Sequence, residues 1–400
     1  MAHISFEESI EILNKNLPTK KRTKKVSLQE SLGYVLANDI VASFNNPAYP
    51  TASMDGYAIK YSDIDKKIKI IGSNPAGSFE YDTLKDGEAI KTFTGSFMPD
   101  GADTLVPIEN VEVNGATLKV ITKVNKGFSV RSVGEDFREN EVIIPKNTKI
   151  TFAEIGVMAS LNKPIVEVID KAKVAIIATG SEILDLGERG NIAQIHSSNN
   201  YTLSALGKSL GYDMTNVGLV KDNKEEIKTK ILNSLEVNDI VVTTGGVSVG
   251  DFDFVKEIAG EFEVLFHGVN IKPGQWVMIA KVGEKYIVSL PGFPYSSFVT
   301  FLLYVVPLAD KISGFNSLTT IKAKLRDKFK KVNPKTQFVA VNIAYENGEF
   351  IVDVRDKKSG SSGILTNLVN NFALMKLDAG FYELSKDSSV DIIIYNKEFL

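Results

Sequence analysis

The sequence predicts a multidomain protein of the α/β plus β class. Its 400 residues exceed the ~250–300 residues that one hydrophobic core supports. Continuous apolar strands alternate with helices from residue 171 onward, whereas the flanking regions are rich in short alternating strands and turns. We therefore expect a parallel-rich sheet covered on both faces, with smaller β-rich domains before and after it.

The composition excludes several kinds of site and partner. The chain has no cysteine, which rules out disulfides, thiolate zinc sites, iron–sulfur clusters and cysteine nucleophiles. Its net charge of −3 gives no basic field, so we expect no nucleic-acid partner. The apolar stretch 298–312 contains Pro307 and is taken as a buried helix too short to span a bilayer. With no signal peptide apparent, we expect a cytoplasmic protein without a membrane partner.

The first half of the chain predicts helices at its start and a β region after them. Ser5 with Glu8, and Ser27 with Glu30, are capping boxes that precede apolar residues at helical spacing. Residues 44–133 predict a small β domain, in which Asn114-Gly115 marks a hairpin. The remaining element expected here is a helix over 149–164.

The second half predicts an α/β domain and then a β domain. The α/β elements expected are strand 174–179, helix 199–211, strand 216–220, helix 223–235, strand 239–244, helix 253–262, strand 263–266 and the paired strands 276–281 and 285–290. From residue 316 the alternation of strand and helix ends. Asn347-Gly348 there joins two alternating strands, and we expect a small barrel or sandwich.

Two strand ends in the α/β domain carry glycine and acid, namely 179–182 and 244–251. Ligands bind outside the carboxyl ends of such strands, where glycine lets backbone N–H groups approach an anion. Adjacent carboxylates suit Mg²⁺ shared with phosphate. Lys272, on a Pro-Gly turn, is suited to an oxyanion. The structural alternative stays open for each: a tight turn with an Asp N-cap, or a solvated lysine.

Together these segments resemble the MoeA family, which also occurs as the E domain of gephyrin-like proteins. The matching segments follow the family order along nearly the whole chain: Met54–Ala58, Thr94–Ser96, Pro99–Asp103, Glu109, Gly134–Asp136, Thr179–Glu182, Ser198-Asn199, Gly245–Asp251, Lys272–Gly274 and Leu290–Gly292. Each segment alone is weakly specific. Their order and spacing together are highly specific.

The resemblance implies four domains and an extended homodimer. The implied domains are an elongated helical-β linker domain at 1–45 and 136–170, a small β domain at 46–135, a MogA-like α/β domain at 171–315 and a C-terminal β-barrel domain at 316–400. The implied active cleft lies between the α/β domain of one subunit and the β domain of the other.

The resemblance also implies a molybdopterin molybdenumtransferase. Such an insertase converts adenylated molybdopterin and molybdate to molybdenum cofactor with Mg²⁺, releases AMP, and has a MogA-like adenylyltransferase as a candidate partner. The implied catalytic residues are Asp55, Glu182, Asp222, Asp253 and Lys272, of which Glu182 and Asp253 are the implied Mg²⁺ ligands. The implied binding residues are Thr94, Gly180, Ser198, Asn199, Gly245, Gly246, Ser248, Pro291, Gly292, Ser361 and Ser362.

The chain departs from the family pattern at three positions. The family usually has a second lysine at Gln275, an arginine at Ala340 and an asparagine at Phe293. Two of these losses remove cations expected to hold an oxyanion. The alternative hypothesis is therefore a catalytically weak paralogue that binds the pterin nucleotide or a partner protein. A third interpretation is another nucleotide-using enzyme, such as a pyrophosphatase.

Overall fold

The computed structural model describes residues 3–19, 21–78, 83–247, 254–358 and 361–396. It divides into two compact units. Unit 1 comprises Met1–Val26, Glu30–Ala37 and Val166–Leu400, and unit 2 comprises Ser27–Gln29 and Asn38–Ile165.

The helices in chain order are α1 Phe6–Lys15, α2 Phe152–Ser160, α3 Asn199–Ser209, α4 Lys224–Val237, α5 Phe254–Ala259, α6 Pro294–Thr300 and α7 Val306–Ser313. The strands of the first 170 residues are β1 Thr23–Ser27, β2 Val35–Leu36, β3 Ile40–Val41, β4 Thr51–Ala52, β5 Gly56–Ile59, β6 Lys67–Asn74, β7 Glu88–Thr92, β8 Thr104–Pro107, β9 Val111–Asn114, β10 Thr117–Val120, β11 Val130–Arg131, β12 Val142–Ile144 and β13 Ile165–Ile169. The later strands are β14 Lys173–Thr179, β15 Ile183–Leu184, β16 Ile195–His196, β17 Asp213–Val220, β18 Ile240–Thr244, β19 Glu263–His267, β20 Ile271–Lys272, β21 Met278–Val282, β22 Lys285–Leu290, β23 Thr319–Leu325, β24 Phe329–Lys331, β25 Thr336–Glu346, β26 Glu349–Asp353, β27 Ala373–Leu377, β28 Tyr382–Leu384 and β29 Ser389–Ile394.

The two capping signals have different outcomes. Ser5 caps α1 by accepting a hydrogen bond from the amide of Glu8 at 3.0 Å, which confirms the first helix. The second helix is wrong, because Ser27 ends strand β1 and only a single 3₁₀ turn, Leu28–Glu30, follows. Gly33, with φ of 80°, then redirects the chain into β2.

Unit 2 contains the predicted β region. Its six-stranded sheet has the order β8-β5-β7-β6-β10-β9. The predicted hairpin is confirmed, because Asn114 pairs with Thr117 across the turn. The helix expected at 149–164 is α2, Phe152–Ser160, whose N-cap Thr151 forms a reciprocal capping box with Glu154.

The large sheet of unit 1 has the order β17-β14-β18-β22-β21-β19. The first four strands are parallel, and β21 runs antiparallel to β22 and β19. Along β14, Val174 and Ile176 face the core with α3, α6 and α7, whereas Ala175 and Ile177 face the core with α4 and α5. Burial on both faces explains why these strands are continuous apolar runs.

The apolar segment 294–313 forms one helical stretch of 20 residues that is long and apolar enough, by length and composition, to cross a membrane. The expectation that it is too short was therefore wrong. The expectation of a buried helix is confirmed, since 83% of its apolar part is buried. A π-helical turn at Phe301–Val305 widens the helix just before Pro307, which relieves the clash that proline makes with the preceding turn.

The C-terminal strands form a closed barrel. The order β25-β26-β23-β29-β27 is completed by pairing of β27 with β25. Alternate residues of β25 point in opposite directions: Val341 faces the barrel interior, whereas Phe338 and Ala340 pack into the core of the α/β sheet. The predicted multidomain α/β plus β fold is thus confirmed, and the division into four domains stays a prediction.

Gly56 tests the packing of the β region in unit 2. A methyl group at this position in β5 would overlap the carbonyl oxygen of Val106 in β8. We expect Gly56→Ala to lower the free energy of unfolding by about 1–3 kcal/mol in urea denaturation. The control is Gly72→Ala in β6, where a methyl group meets nothing within 4 Å. Equal unfolding midpoints for the two variants would contradict the packing described.

Candidate functional site

A cavity of about 510 Å³ lies at the carboxyl ends of β14, β18 and β22, which are neighbours in the parallel part of the sheet. Its lining comes from the ends of these strands and the turns that follow them, from β15, β16 and the start of α3, and from Trp276 ahead of β21. The lining residues are Ala178, Thr179, Glu182, Ile183, Ile195, His196, Ser197, Ser198, Asn199, Thr244, Gly245, Gly246, Val247, Trp276, Pro291, Gly292, Phe293 and Pro294. This is where open α/β sheets bind ligands, and the volume suits a small molecule.

The glycines of the second and third turns allow the strand ends to approach closely. Gly245 has φ of 98°, and a methyl group on it would lie 2.8 Å from the carbonyl oxygen of Thr179. Gly246 has φ of 63°, and its methyl group would lie 3.1 Å from Val255. A methyl group on Gly292 would lie 3.7 Å from Cα of Gly245. Larger side chains would therefore both strain these turns and fill the space between them.

Two acids act differently at the turn that follows β14: Glu182 belongs to this turn, and Asp222 follows the neighbouring strand β17. Glu182 lines the cavity and is exposed, with its carboxylate folded over Gly180. Asp222 instead accepts a hydrogen bond from the amide of Ser181 at 2.9 Å, and its own amide donates to the Ser181 hydroxyl at 3.2 Å. Asp222 is not among the lining residues. It supports the turn that carries Glu182, so we interpret it as a positioning residue.

The start of α3 is joined to the third turn. The side-chain amide of Asn199 donates to the carbonyl oxygen of Gly292 at 2.7 Å. Ser198 stands at the N-cap of α3, makes no side-chain capping hydrogen bond, and lines the cavity. Buried Ser197 donates to Asn200 at 2.6 Å and fixes this segment.

Lys272 and the C-terminal barrel lie outside the cavity lining. Lys272 is exposed on β20, which pairs with β25 of the barrel. The ammonium of Lys335 donates to the side-chain oxygen of Gln275. Burial, followed by the charge of Lys272, lowers the pKa of Lys335. Lys335 thus brings a cation to Gln275, the position at which the family pattern has a lysine.

The predicted serines of the barrel are near the start of α6. The carbonyl oxygen of Ser362 accepts a hydrogen bond from the amide of Tyr295 at 3.0 Å. The Ser361 hydroxyl accepts from the amide of Gly363 at 3.1 Å. Neither serine lines the cavity. Ala340, also in the barrel, is only 2% exposed, so the missing arginine is replaced by core packing.

Asp55 and Thr94 form a pair in unit 2. The amide of Thr94 donates to the Asp55 carboxylate at 2.8 Å and the Thr94 hydroxyl donates to the same oxygen at 2.7 Å. The hydrogen bond from the amide, and after it the one from the hydroxyl, hold the pKa of Asp55 below its ordinary value. Asp55 is therefore an ionised carboxylate on the surface, and Thr94 stabilises its charged form.

Two predicted residues, Ser248 and Asp253, lie outside the described residues. Within the described ranges, no group of three or more His, Asp or Glu side chains is arranged to hold a metal. Glu182 offers one carboxylate at the cavity. That fits the usual mode of Mg²⁺ binding, in which one or two carboxylates act together with phosphate oxygens of the substrate.

The sequence interpretation missed several lining residues. Ile195 and His196 belong to β16, which pairs with β15 beside the first turn. Neither carries a motif, so no local signal marks them. Trp276 was recognised only as the start of a strand. Trp276 is the one tryptophan in the chain, and it closely follows the turn of the predicted site residue Lys272. This closeness was the sequence signal that could have indicated a place at the site.

Comparison with known proteins gives two family-model matches. Residues 4–162 match the MoeA N-terminal region (domain I and II), and residues 175–311 match a probable molybdopterin binding domain. A Staphylococcus aureus (strain COL) protein named molybdopterin molybdenumtransferase is 33% identical over 384 residues, covering 92% of this chain and 90% of that protein. A protein of the same name from Staphylococcus epidermidis (strain ATCC 12228 / FDA PCI 1200) is 30% identical and covers 98% of this chain and 95% of its own length.

A solved structure has the same architecture. The molybdopterin biosynthesis moeA protein from Pyrococcus horikoshii OT3 superposes with a TM-score of 0.82 at 29% identity, covering 98% of this chain and 100% of that one. Together with the model match at 175–311, this likeness confirms the predicted fold class, including its MogA-like α/β domain.

The hydrogen bonds at Asp55 can be tested by titration. We expect Thr94→Val, which removes one donor to the carboxylate, to raise the pKa of Asp55 toward its ordinary value. Thr94→Ser keeps the hydroxyl and should leave the titration unchanged. Carboxyl ¹³C NMR against pH measures both variants. An unshifted titration in Thr94→Val would show that the hydroxyl does not bind Asp55.

Proposed function

Because the chain belongs to the molybdopterin molybdenumtransferase (MoeA) family, we propose that it inserts molybdenum from molybdate into adenylated molybdopterin and releases AMP. The role as a transferase of molybdenum cofactor biosynthesis follows from this membership. The finer reaction is supported by one observation above the others. The cavity lies at three strand ends, and its described lining combines glycines that leave room beside the backbone, the acid Glu182 and apolar side chains.

The cavity residues suit the positioning of a nucleotide-like substrate. The turns at Gly245-Gly246 and Pro291-Gly292 admit a ligand close to the backbone. We propose that Glu182 orients the water that attacks the phosphoanhydride, with Asp222 holding its turn in place. Such a step depends on positioning and electrostatics more than on covalent chemistry.

Mg²⁺, when bound, would neutralise phosphate oxygens beside Glu182. We propose that Lys272 and Lys335, the basic side chains beside the barrel, attract molybdate. Lys335 has a lowered pKa because it is partly buried near a second cation, and an anion would relieve that repulsion.

The resemblance supports three further proposals about context. We propose that the chain is a homodimer, that it acts in the cytoplasm, and that a MogA-like adenylyltransferase supplies its adenylated substrate. The roles of Asp55 and Thr94 depend on the first of these. In unit 2 Asp55 is an ionised carboxylate that accepts two hydrogen bonds from Thr94, and we propose that it acts at the cleft formed with the second subunit.

The second candidate function is a catalytically weak paralogue that binds the pterin nucleotide or a partner protein. Gln275 and Ala340 favour it, because each lacks a cation of the family pattern. A titration of molybdate with purified protein, Mg²⁺ and adenylated molybdopterin separates the two candidates. Saturable, molybdate-dependent AMP release supports the insertase, and binding of the adenylate without AMP release supports the paralogue.

Glu182 is the first residue to test in that assay. We expect Glu182→Gln to reduce AMP release by about a hundredfold or more, because it removes the charge at the cavity. The control is Glu225→Gln, which changes an exposed glutamate in the first turn of α4 outside the cavity lining. Equal loss in both variants, or in neither, would contradict the role of Glu182.

Lys335 tests the basic side. We expect Lys335→Ala to raise the KM for molybdate about tenfold, because a charge-assisted contact is lost, while the KM for adenylated molybdopterin stays unchanged. Lys330→Ala, an exposed lysine on β24 of the same barrel region, is the matched control. An unchanged molybdate KM in Lys335→Ala would remove Lys335 from the oxyanion site.

A further inference from the structure

Trp276 stands at the cavity as the one tryptophan of the chain. It lies two residues before β21, whose antiparallel register with β22 pairs Met278 with Ser289. Trp276 and Pro291 each lie two residues beyond that pair along the chain, and both line the cavity. The antiparallel pairing therefore accounts for an indole from a non-adjacent segment in the wall, where the indole is half-buried.

Two histidine rings restrict the indole. The His3 ring packs edge-on to Trp276 with centroids 4.5 Å apart, and the His267 ring is tilted against it at 5.7 Å. Gly268, with φ of 85°, makes the first contact feasible, because a methyl group there would lie 2.6 Å from the His3 ring. His267 Nε2 is 2.9 Å from the carbonyl oxygen of Val247, which also lines the cavity. The indole is therefore held in place before a ligand arrives.

The remaining lining favours a flat, uncharged group. Phe293 presents a second aromatic ring, 63% exposed, and Ile183 and Ile195 add aliphatic surface. Of the described residues that line the cavity, none is lysine or arginine, and Glu182 is the one acid. The part of the wall formed by Trp276, Phe293 and the two isoleucines offers no charged partner to a phosphate, so the phosphates of the proposed substrate would lie on the Glu182 side of the cavity. A planar ring system, in contrast, gains from an aromatic face whatever its hydrogen-bonding pattern.

We propose that Trp276 is a ring-binding, specificity-determining residue, whose indole stacks on the planar heteroaromatic ring of the substrate. The inference rests on the proposed function, in which the substrate carries two such rings, adenine and pterin. It adds which part of the substrate enters the cavity and which side chain selects it. His3 and His267 are positioning residues for the indole.

The single tryptophan makes the test direct. Its fluorescence in the unmodified protein should be quenched by AMP if the ring is adenine, or by 6-hydroxymethylpterin if it is the pterin. Ribose 5-phosphate, which keeps the sugar phosphate of AMP without a ring, should leave the emission unchanged. Emission unaffected by both ring compounds, or equally affected by ribose 5-phosphate, would overturn the proposal.

Substitutions give a second, independent measurement by calorimetry with the ring compound that binds. Trp276→Leu should weaken binding by about tenfold to a hundredfold, the range for loss of one aromatic stacking partner. Trp276→Phe should retain most of the affinity. Phe293→Leu should also weaken binding, whereas Phe381→Leu, a 67% exposed phenylalanine of the barrel outside the cavity lining, should not. Wild-type affinity in Trp276→Leu would overturn the proposal.

Two outcomes distinguish a failure of the stacking role of Trp276 from a failure of the proposed insertase reaction. Molybdate-dependent AMP release by the unmodified protein, together with unchanged affinity in Trp276→Leu, would overturn the stacking role alone. Ring-dependent quenching without AMP release would support the stacking role and overturn the insertase reaction.

Discussion

The close approach of three strand-end turns is the constraint on which the site depends. Gly245 leaves no room for a methyl group beside the carbonyl oxygen of Thr179, and Gly292 comes next to Gly245. Parallel strands in register bring the turns to one edge of the sheet. Glycine then lets them meet without filling the space above them, and that space is the cavity. The apolar strands of the sheet therefore determine where chemistry can take place.

The cavity has an acidic side chain, Glu182, and an aromatic side chain, Trp276, in its wall. The turn that carries Glu182 is held by Asp222 at the neighbouring strand end, through two hydrogen bonds between Asp222 and Ser181 of the turn. The aromatic wall comes from Trp276. Lys272, on β20, and Lys335, bound to Gln275, lie beside the barrel and outside the cavity lining. The proposed substrates combine flat rings, phosphates and an oxyanion, and each of these has a chemical counterpart among these surfaces.

Local patterns were sufficient to predict most of the fold. The Asn114-Gly115 hairpin and the two-sided burial of β14 follow from turn chemistry and from apolar runs, which neighbouring residues determine. The second capping box did not start a helix. Ser27 lies in β1 and Val35 in β2, and the pairing of both strands with β13 outweighed the local helix signal. The apolar helix exceeded its predicted length because it begins four residues earlier, at Pro294, where proline is tolerated in the first turn of a helix. Trp276 and Lys335 reach their places through register and barrel packing, which no local pattern contains.

A crystal structure of the chain with adenylated molybdopterin bound tests most directly whether the cavity holds this substrate. We expect density for the ligand between the turns at Thr179–Glu182, Thr244–Val247 and Pro291–Phe293, with a ring against Trp276. Density for the ligand at another place, with the cavity left to solvent, would contradict binding at these three strand ends.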